Sequence, residues 1–334
     1  PSRASMLTGK HLPGHGVYKL YDNLPEGQVL FTKRLQSMGY QTALFGKLHV
    51  CSRVYEAVRR HPNDGFGIYE WCLEPSLYMD VPLNAYARWL NRTDPAFWKR
   101  LYRERRDLRV PRKFHMTRWA AQRTIDFIQQ REDGQPFFCM LSVFDPHDPY
   151  QDHSLEMREM LDADKIPDPV IVEGELEHGP SALRRLSTHV PFAGRHGERS
   201  LAEIREDRLG YHASIALIDL EFGRVLDALE EAGIADNTLV VFISDHGDLL
   251  GDHQQFTKGA ALYDPCVRVP FLMRWPARFE GGQRFNQLVQ PHDLAATVLA
   301  AAGMSAEDLH SHMPDAVDLG QLCAGEVDST HDYA

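Results

Sequence analysis

Apolar and polar positions follow two rhythms along the chain. Over Gln28–Met38 the apolar residues Val29, Leu30, Leu35 and Met38 recur at helical spacing, and Gly39 ends the run. Thr42–Phe45 follows as a predicted strand. Trp119–Gln130 is helical again through Ala120, Ala121, Ile125, Phe127 and Ile128. An Asp133-Gly134 turn then leads into a predicted strand over Phe137–Phe144. The longest predicted helix is Leu201–Ala232, where Ser200 and Glu203 have capping-box spacing and Gly233 suits the C-terminal stop. Its apolar stripe is Ile215, Ile218, Phe222, Val225, Leu226 and Leu229. Thr238–Ser244 is almost continuously apolar, which predicts a strand covered on both faces. Val267–Arg274 reads as a strand interrupted by Pro270, hence an edge or a bulge, and Asp293–Ala302 as a helix ended by Gly303. Strands alternating with amphipathic helices predict an α/β fold, with a largely parallel central sheet and helices on both faces.

Two stretches break the rhythm. Lys99–Arg118 holds nine basic and two acidic residues, and Pro167–Arg199 is a polar run with prolines and histidines that reads as a long loop. The basic stretch suits either steering of a polyanionic substrate or a solvated helix face or subunit contact. It is not a nucleic-acid footprint, because 36 basic against 47 acidic residues leave the 334-residue chain at −11. Hydrophobic residues at 43% and charged residues at 25% are globular proportions, and no apolar run reaches the roughly 18 residues of a membrane span. The five cysteines, Cys51, Cys72, Cys139, Cys266 and Cys323, are widely spaced and form neither a disulfide framework nor a zinc signature. Compartment and oligomeric state are not legible.

Chemistry concentrates where predicted strands end, the usual place for a site in an open α/β sheet. Thr42–Phe45 runs into Gly46-Lys47-Leu48-His49, and Phe137–Phe144 into Asp145-Pro146-His147-Asp148-Pro149. Thr238–Ser244 runs into Asp245-His246-Gly247-Asp248, followed by Asp252, His253 and Lys258. Each cluster alone also fits a solvated loop end or a rigid turn. Together they make a consistent set. Asp245 and His246 suit a divalent cation. Arg3, Lys47 and Lys258 suit an oxyanion, and His49 and His147 suit proton transfer near neutral pH. The set points to hydrolysis of an anionic ester, with charge stabilisation as the dominant effect. It contains no credible nucleophile.

These residues resemble the sulfatase family of the alkaline-phosphatase-like superfamily. Pro1-Ser2-Arg3-Ala4-Ser5-Met6-Leu7-Thr8-Gly9 is similar to the tail of the family signature, and Gly46-Lys47-Leu48-His49, Pro146-His147-Asp148-Pro149 and Tyr211 to Pro276 extend the likeness. The resemblance implies an alkaline-phosphatase-like fold and cleavage of a sulfate monoester through a formylglycine hydrate, made from a Cys or Ser two positions before Pro1. It assigns Arg3 to stabilising that hydrate and Lys47 to the nucleophile and sulfate oxygens. His49 would assist breakdown of the sulfated intermediate, and His147 with Lys258 would protonate the leaving oxygen. Asp245 and His246 would ligate a metal expected to be Ca²⁺, with Mn²⁺ or Mg²⁺ as alternatives. His246 stands where many members have Asn, and its softer nitrogen bears on the metal's identity.

On the same resemblance, residues 1–310 form a catalytic domain lacking its first strand, two acidic metal ligands and nucleophile. Residues 311–334 begin a C-terminal subdomain, and the isolated 334 residues are expected to be inactive. The expected substrate is a sulfated small molecule or carbohydrate, with neither nucleic acid nor membrane as a partner. Two other readings stay open: a phosphonate monoesterase or phosphodiesterase of the same superfamily, and a non-catalytic binder of sulfated glycans. Lys47 and His49, which the phosphonate enzymes typically replace, favour sulfate monoesters. Substrate choice is expected in the loops Cys51–Arg118 and Gln151–Arg199, which hold Trp71, Trp98, His178, His189 and His196.

Overall fold

The computed structural model describes residues 1–104, 109–181, 199–258 and 262–332. Three parallel strands, β1 (Gln41–Gly46), β2 (Ile68–Trp71) and β3 (Phe137–Ser142), form one sheet in the order β2-β1-β3. The registers Ala43↔Ile68 and Ala43↔Cys139 bring the three strands to a common C-terminal edge, with Gly46 level with Trp71 and Ser142. β1 is buried on both faces because its side chains alternate between two cores. Leu44 joins Leu7, Phe31, Leu35, Trp71 and Leu299 on one side. Ala43 and Phe45 join Tyr86, Leu90, Trp119 and Phe127 on the other.

Five helices frame the site: α1 (Ser2–Thr8), α2 (Phe31–Ser37), α3 (Met116–Gln130), α4 (Leu201–Glu231) and α5 (Asp293–Ala301). α2 starts three residues later than its apolar spacing suggests, because Leu30 is extended as the N-cap. α3 starts earlier than predicted, with the His115 side chain accepting the Thr117 N–H. α4 carries both halves of the predicted capping box. The Glu203 N–H donates to Ser200 Oγ at 3.3 Å, and the Ser200 N–H to Glu203 Oε2 at 2.7 Å. Val225 and Leu229 of α4 pack on Ile125 and Ile128 of α3. No helix among the described residues is long and apolar enough to cross a membrane.

The predicted strand Thr238–Ser244 shortens to β4 (Val240–Ile243), and its burial differs from the expectation. It is half-buried and pairs antiparallel with β5 (Phe271–Arg274), not with the parallel strands. The predicted strand from Val267 begins only after Pro270, and Asp264–Val267 is a turn of helix. An apolar cleft of about 1240 Å³ lies between β3 and β4. Ile215, Ile218 and Phe222 of the α4 stripe face this cleft, which is why Ile215 is exposed although the pattern places it in a core.

Much of the basic stretch is neutralised within the fold. Arg112 and Arg118 pair with the buried Glu221 of α4, and Arg109 with Glu206, while residues 105–108 lie outside the described ones. Trp71 is a core residue, Trp98 stacks on Tyr102, and His189 and His196 lie outside the described residues.

Candidate active site

β1 ends at Gly46, whose φ of 112° and close approach exclude a side chain. A Cβ there would lie 2.0 Å from the Ser142 carbonyl oxygen. The loops after β1 and β3 are therefore locked together, and the Lys47 N–H donates to the same carbonyl at 2.8 Å. Arg3, early in α1, ties the strand ends further. Its guanidinium donates to Leu48 O at 2.6 Å, Lys47 O at 2.7 Å and Ser142 Oγ at 2.7 Å, and to Asp245 Oδ2 at 3.3 Å. Lys47 Nζ stands 3.7 Å from the same Asp245 oxygen and over the Phe144 ring.

The electrostatics follow from burial and from these cations. Burial brings the Lys47 ammonium down to about 8, although Asp245 opposes that shift. Burial alone would raise Asp245. Lys47, His246, Arg3 and Lys258 outweigh it and hold the carboxyl well below the usual range. Burial, reinforced by Lys47 and Arg3, pushes His49 far down, so its imidazole is neutral at physiological pH. His246 is likewise pushed down to about 4, chiefly by burial.

His246 is disposed as a ligand. Its Nδ1 lies 2.8 Å from the Gly247 carbonyl oxygen, which fixes the proton on Nδ1 and leaves the Nε2 lone pair 3.6 Å from Asp245 Oδ1. A carboxylate oxygen and an imidazole nitrogen converging in this way fit a divalent cation. Gly247 is held close beneath them, since a Cβ there would meet the Pro265 carbonyl oxygen at 1.8 Å.

His147 presents its Nε2 to Lys258 Nζ, while its Nδ1 lies 2.9 Å from Asp148 Oδ1 and 2.8 Å from the Asp148 carbonyl oxygen. Its ring meets His246 edge-on, with centroids 5.7 Å apart. Arg3, Lys47, His49, Asp245, His246 and Lys258 all line one cavity of about 380 Å³. His147 borders it through Lys258. The structure thus brings together all seven residues singled out from the sequence, from four separate segments.

Two further residues support the site: Glu56 had no sequence signal, whereas Asp248 stood in the cluster after the predicted strand Thr238–Ser244 but without its partner. Glu56 is a buried carboxylate that accepts the N–H groups of His49, Val50 and Cys51 and the Trp71 Nε1–H, and so shapes the His49 loop. Asp248 accepts from Tyr150 Oη at 2.9 Å, tying the His147 loop to the Asp245 loop. Asp148 was visible inside Pro-His-Asp-Pro, but its contact with His147 was not.

The sulfatase family model matches residues 1–304. The chain belongs to the sulfatase family. An arylsulfatase of Clostridium perfringens is 27% identical over 330 residues, covering 92% of this chain and 65% of that protein. An N-acetylglucosamine-6-O-sulfatase of Bacteroides thetaiotaomicron is 24% identical, covering 91% and 59%. Among solved structures, the phosphonate monoester hydrolase of Silicibacter pomeroyi superposes with a TM-score of 0.80 at 24% identity, covering all of this chain and 68% of that one. This last likeness establishes the alkaline-phosphatase-like fold. The sulfatase chain spans less than two thirds of the length of the curated relatives it matches.

Proposed function

We propose that the polypeptide carrying residues 1–334 is a sulfuric ester hydrolase that acts on a sulfate monoester of a small molecule or carbohydrate. The observation that carries this reading is the convergence of Arg3, Lys47 and Lys258 on the Asp245–His246 pair in one cavity. Three cations there complement the oxygens of a sulfate ester, whose charge shifts toward the leaving oxygen as the S–O bond breaks. Lys47 and Lys258 hold those oxygens. Arg3 is committed to the loop carbonyls and Asp245, and so sets the spacing. His147, backed by Asp148 and beside Lys258, hands a proton to the leaving oxygen, and neutral His49 accepts one from the nucleophile.

The nucleophile in this reading is a formylglycine hydrate outside residues 1–334, and a bound Ca²⁺ on Asp245 and His246 would supply charge neutralisation. Residues 1–310 form the catalytic domain, and 311–334 lead into a smaller subdomain. A further parallel strand, bringing the nucleophile and two more carboxylates, belongs in the cleft between β3 and β4. Both flanking strands are apolar and, among the described residues, each pairs on one edge only.

The test is turnover of an aryl sulfate and an aryl phosphonate by the full-length polypeptide and its His147→Ala variant. The expected result is sulfate preferred and lost with His147. A strong phosphonate preference would move the assignment to the phosphonate monoesterases, and absence of any turnover with an unmodified nucleophile position would make it a binding protein.

A further inference from the structure

Another group of ligand-type side chains gathers at the start of α5 and shares no residue with the catalytic cavity. His331 Nε2 and His292 Nε2 approach one oxygen, Asp293 Oδ1, at 2.9 and 3.8 Å. The three ligand atoms lie within 4.8 Å of one another, and this is the one such cluster of three among the described residues. Asp293 and His292 are fully buried, at 0% and 3% exposure, in the wall of the core that holds Leu294 and Leu299.

The carboxylate is aimed from behind. The Val317 N–H donates to Oδ1 at 3.0 Å and the Gln290 N–H to Oδ2 at 2.8 Å, so its plane is fixed before anything binds. The Asp315 carbonyl oxygen lies 2.9 Å from His292 Nε2 and adds a fourth donor to the ring. His11 stands edge-on to His292, with centroids 4.5 Å apart, and closes that side.

Two imidazoles, one carboxylate and a carbonyl form a mixed nitrogen and oxygen set, which suits borderline ions rather than Ca²⁺ or Mg²⁺. Backbone N–H groups behind a ligating carboxylate are the outer support such sites use. We propose that His292, Asp293 and His331 bind one divalent ion of the zinc class and so fasten the segment around His331 to α5. Each histidine enters as the neutral Nδ1–H tautomer, and its Nε2 lone pair takes the metal in place of the present hydrogen bond.

The experiment titrates the purified chain with Zn²⁺ alone, and separately Co²⁺, by calorimetry and by thermal unfolding. Four proteins are compared: wild type, His331→Gln, His292→Gln and the double variant Asp245→Asn, His246→Ala. Glutamine can replace the present hydrogen bond, to Asp293 at position 331 and to the Asp315 carbonyl at position 292, so those variants keep the fold without the ligand. The expected result is one saturable site that raises the melting temperature of the wild type. It should weaken about tenfold or more in either glutamine variant and persist in the double variant. The Co²⁺ spectrum should report nitrogen and oxygen ligands without thiolate. Absence of saturable binding overturns the proposal. So does binding that is indifferent to His331 and His292, or that vanishes with Asp245 and His246.

Discussion

The sulfatase fold holds two aspartate–histidine groups, one half-buried and one set deeper in the core, that look alike in composition and differ in what surrounds them. Asp245 and His246 sit among Arg3, Lys47 and Lys258, whose positive charges keep the carboxylate ionised. Asp293 is surrounded instead by the Gln290 and Val317 N–H groups and by His292 and His331. The first environment creates a field toward which an anion is drawn, and on the proposed function its energy is spent on a substrate. The second satisfies the carboxylate with fixed dipoles, so its energy is spent on holding chain segments together. Residue type does not decide between these uses. The neighbours do.

The largest expected effect tests the first half of this contrast. On the proposed function, Asp245→Asn in the full-length polypeptide should lower kcat/KM for an aryl sulfate by about a thousandfold or more, roughly 4 kcal/mol. Its urea unfolding midpoint should move little. A drop of less than tenfold would mean that the field is not catalytic.

Asp293→Ala should do the opposite. It strands two backbone donors and two histidines in the core, so unfolding in urea should show a loss of about 3 kcal/mol. A loss below about 1 kcal/mol would remove the claimed structural role.

His15, a buried histidine whose ring nitrogens meet a backbone N–H and a hydroxyl, calibrates both groups. Its Nδ1 accepts the Val17 N–H at 3.0 Å, and its Nε2 lies 2.8 Å from Ser5 Oγ. Burial pushes it down to about 4, helped by nearby positive charge. The folded state therefore binds fewer protons than the unfolded state between pH 6.5 and 4. Its contribution is full above pH 6.5 and is lost as pH falls toward 4. His15→Gln should flatten the pH dependence of stability across that window, and an unchanged slope would refute the account.

The smallest effect lies beside Asp293. Thr297 Oγ1 accepts the Leu319 N–H at 2.9 Å, which adds a second tie between α5 and the segment after it. Thr297→Val should cost about 1 kcal/mol in the same unfolding assay, and additivity with Asp293→Ala would show that the two ties act independently.

The parallel core and the strand ends were legible because they depend on local pattern. An apolar run of six residues followed by Lys, His or Asp is visible without partners, and so is the Ser200–Glu203 capping box. β2 escaped because four residues, Ile-Tyr-Glu-Trp, are too few for a period to register. The antiparallel pairing of β4 with β5 escaped because pairing direction is a property of the connection, and only Pro270 hinted at an edge. Glu56 is indistinguishable in sequence from a solvated helix position. The His292, Asp293 and His331 cluster joins residues 38 apart, for which no spacing rule exists. Ile215 shows the reverse failure, since a correct helical stripe points into a cleft rather than a closed core.

That cleft bears on how the polypeptide behaves in the test tube. Among the described residues β3 and β4 each present an unpaired edge beside apolar surface, and Leu272 on β5 is 59% exposed. Edges of this kind template pairing with other chains. Handled at high concentration as residues 1–334, the protein should therefore drift toward turbid, β-rich aggregates. Its colloidal lifetime should lengthen on dilution and shorten as salt screens the mutual repulsion of its −11 charge.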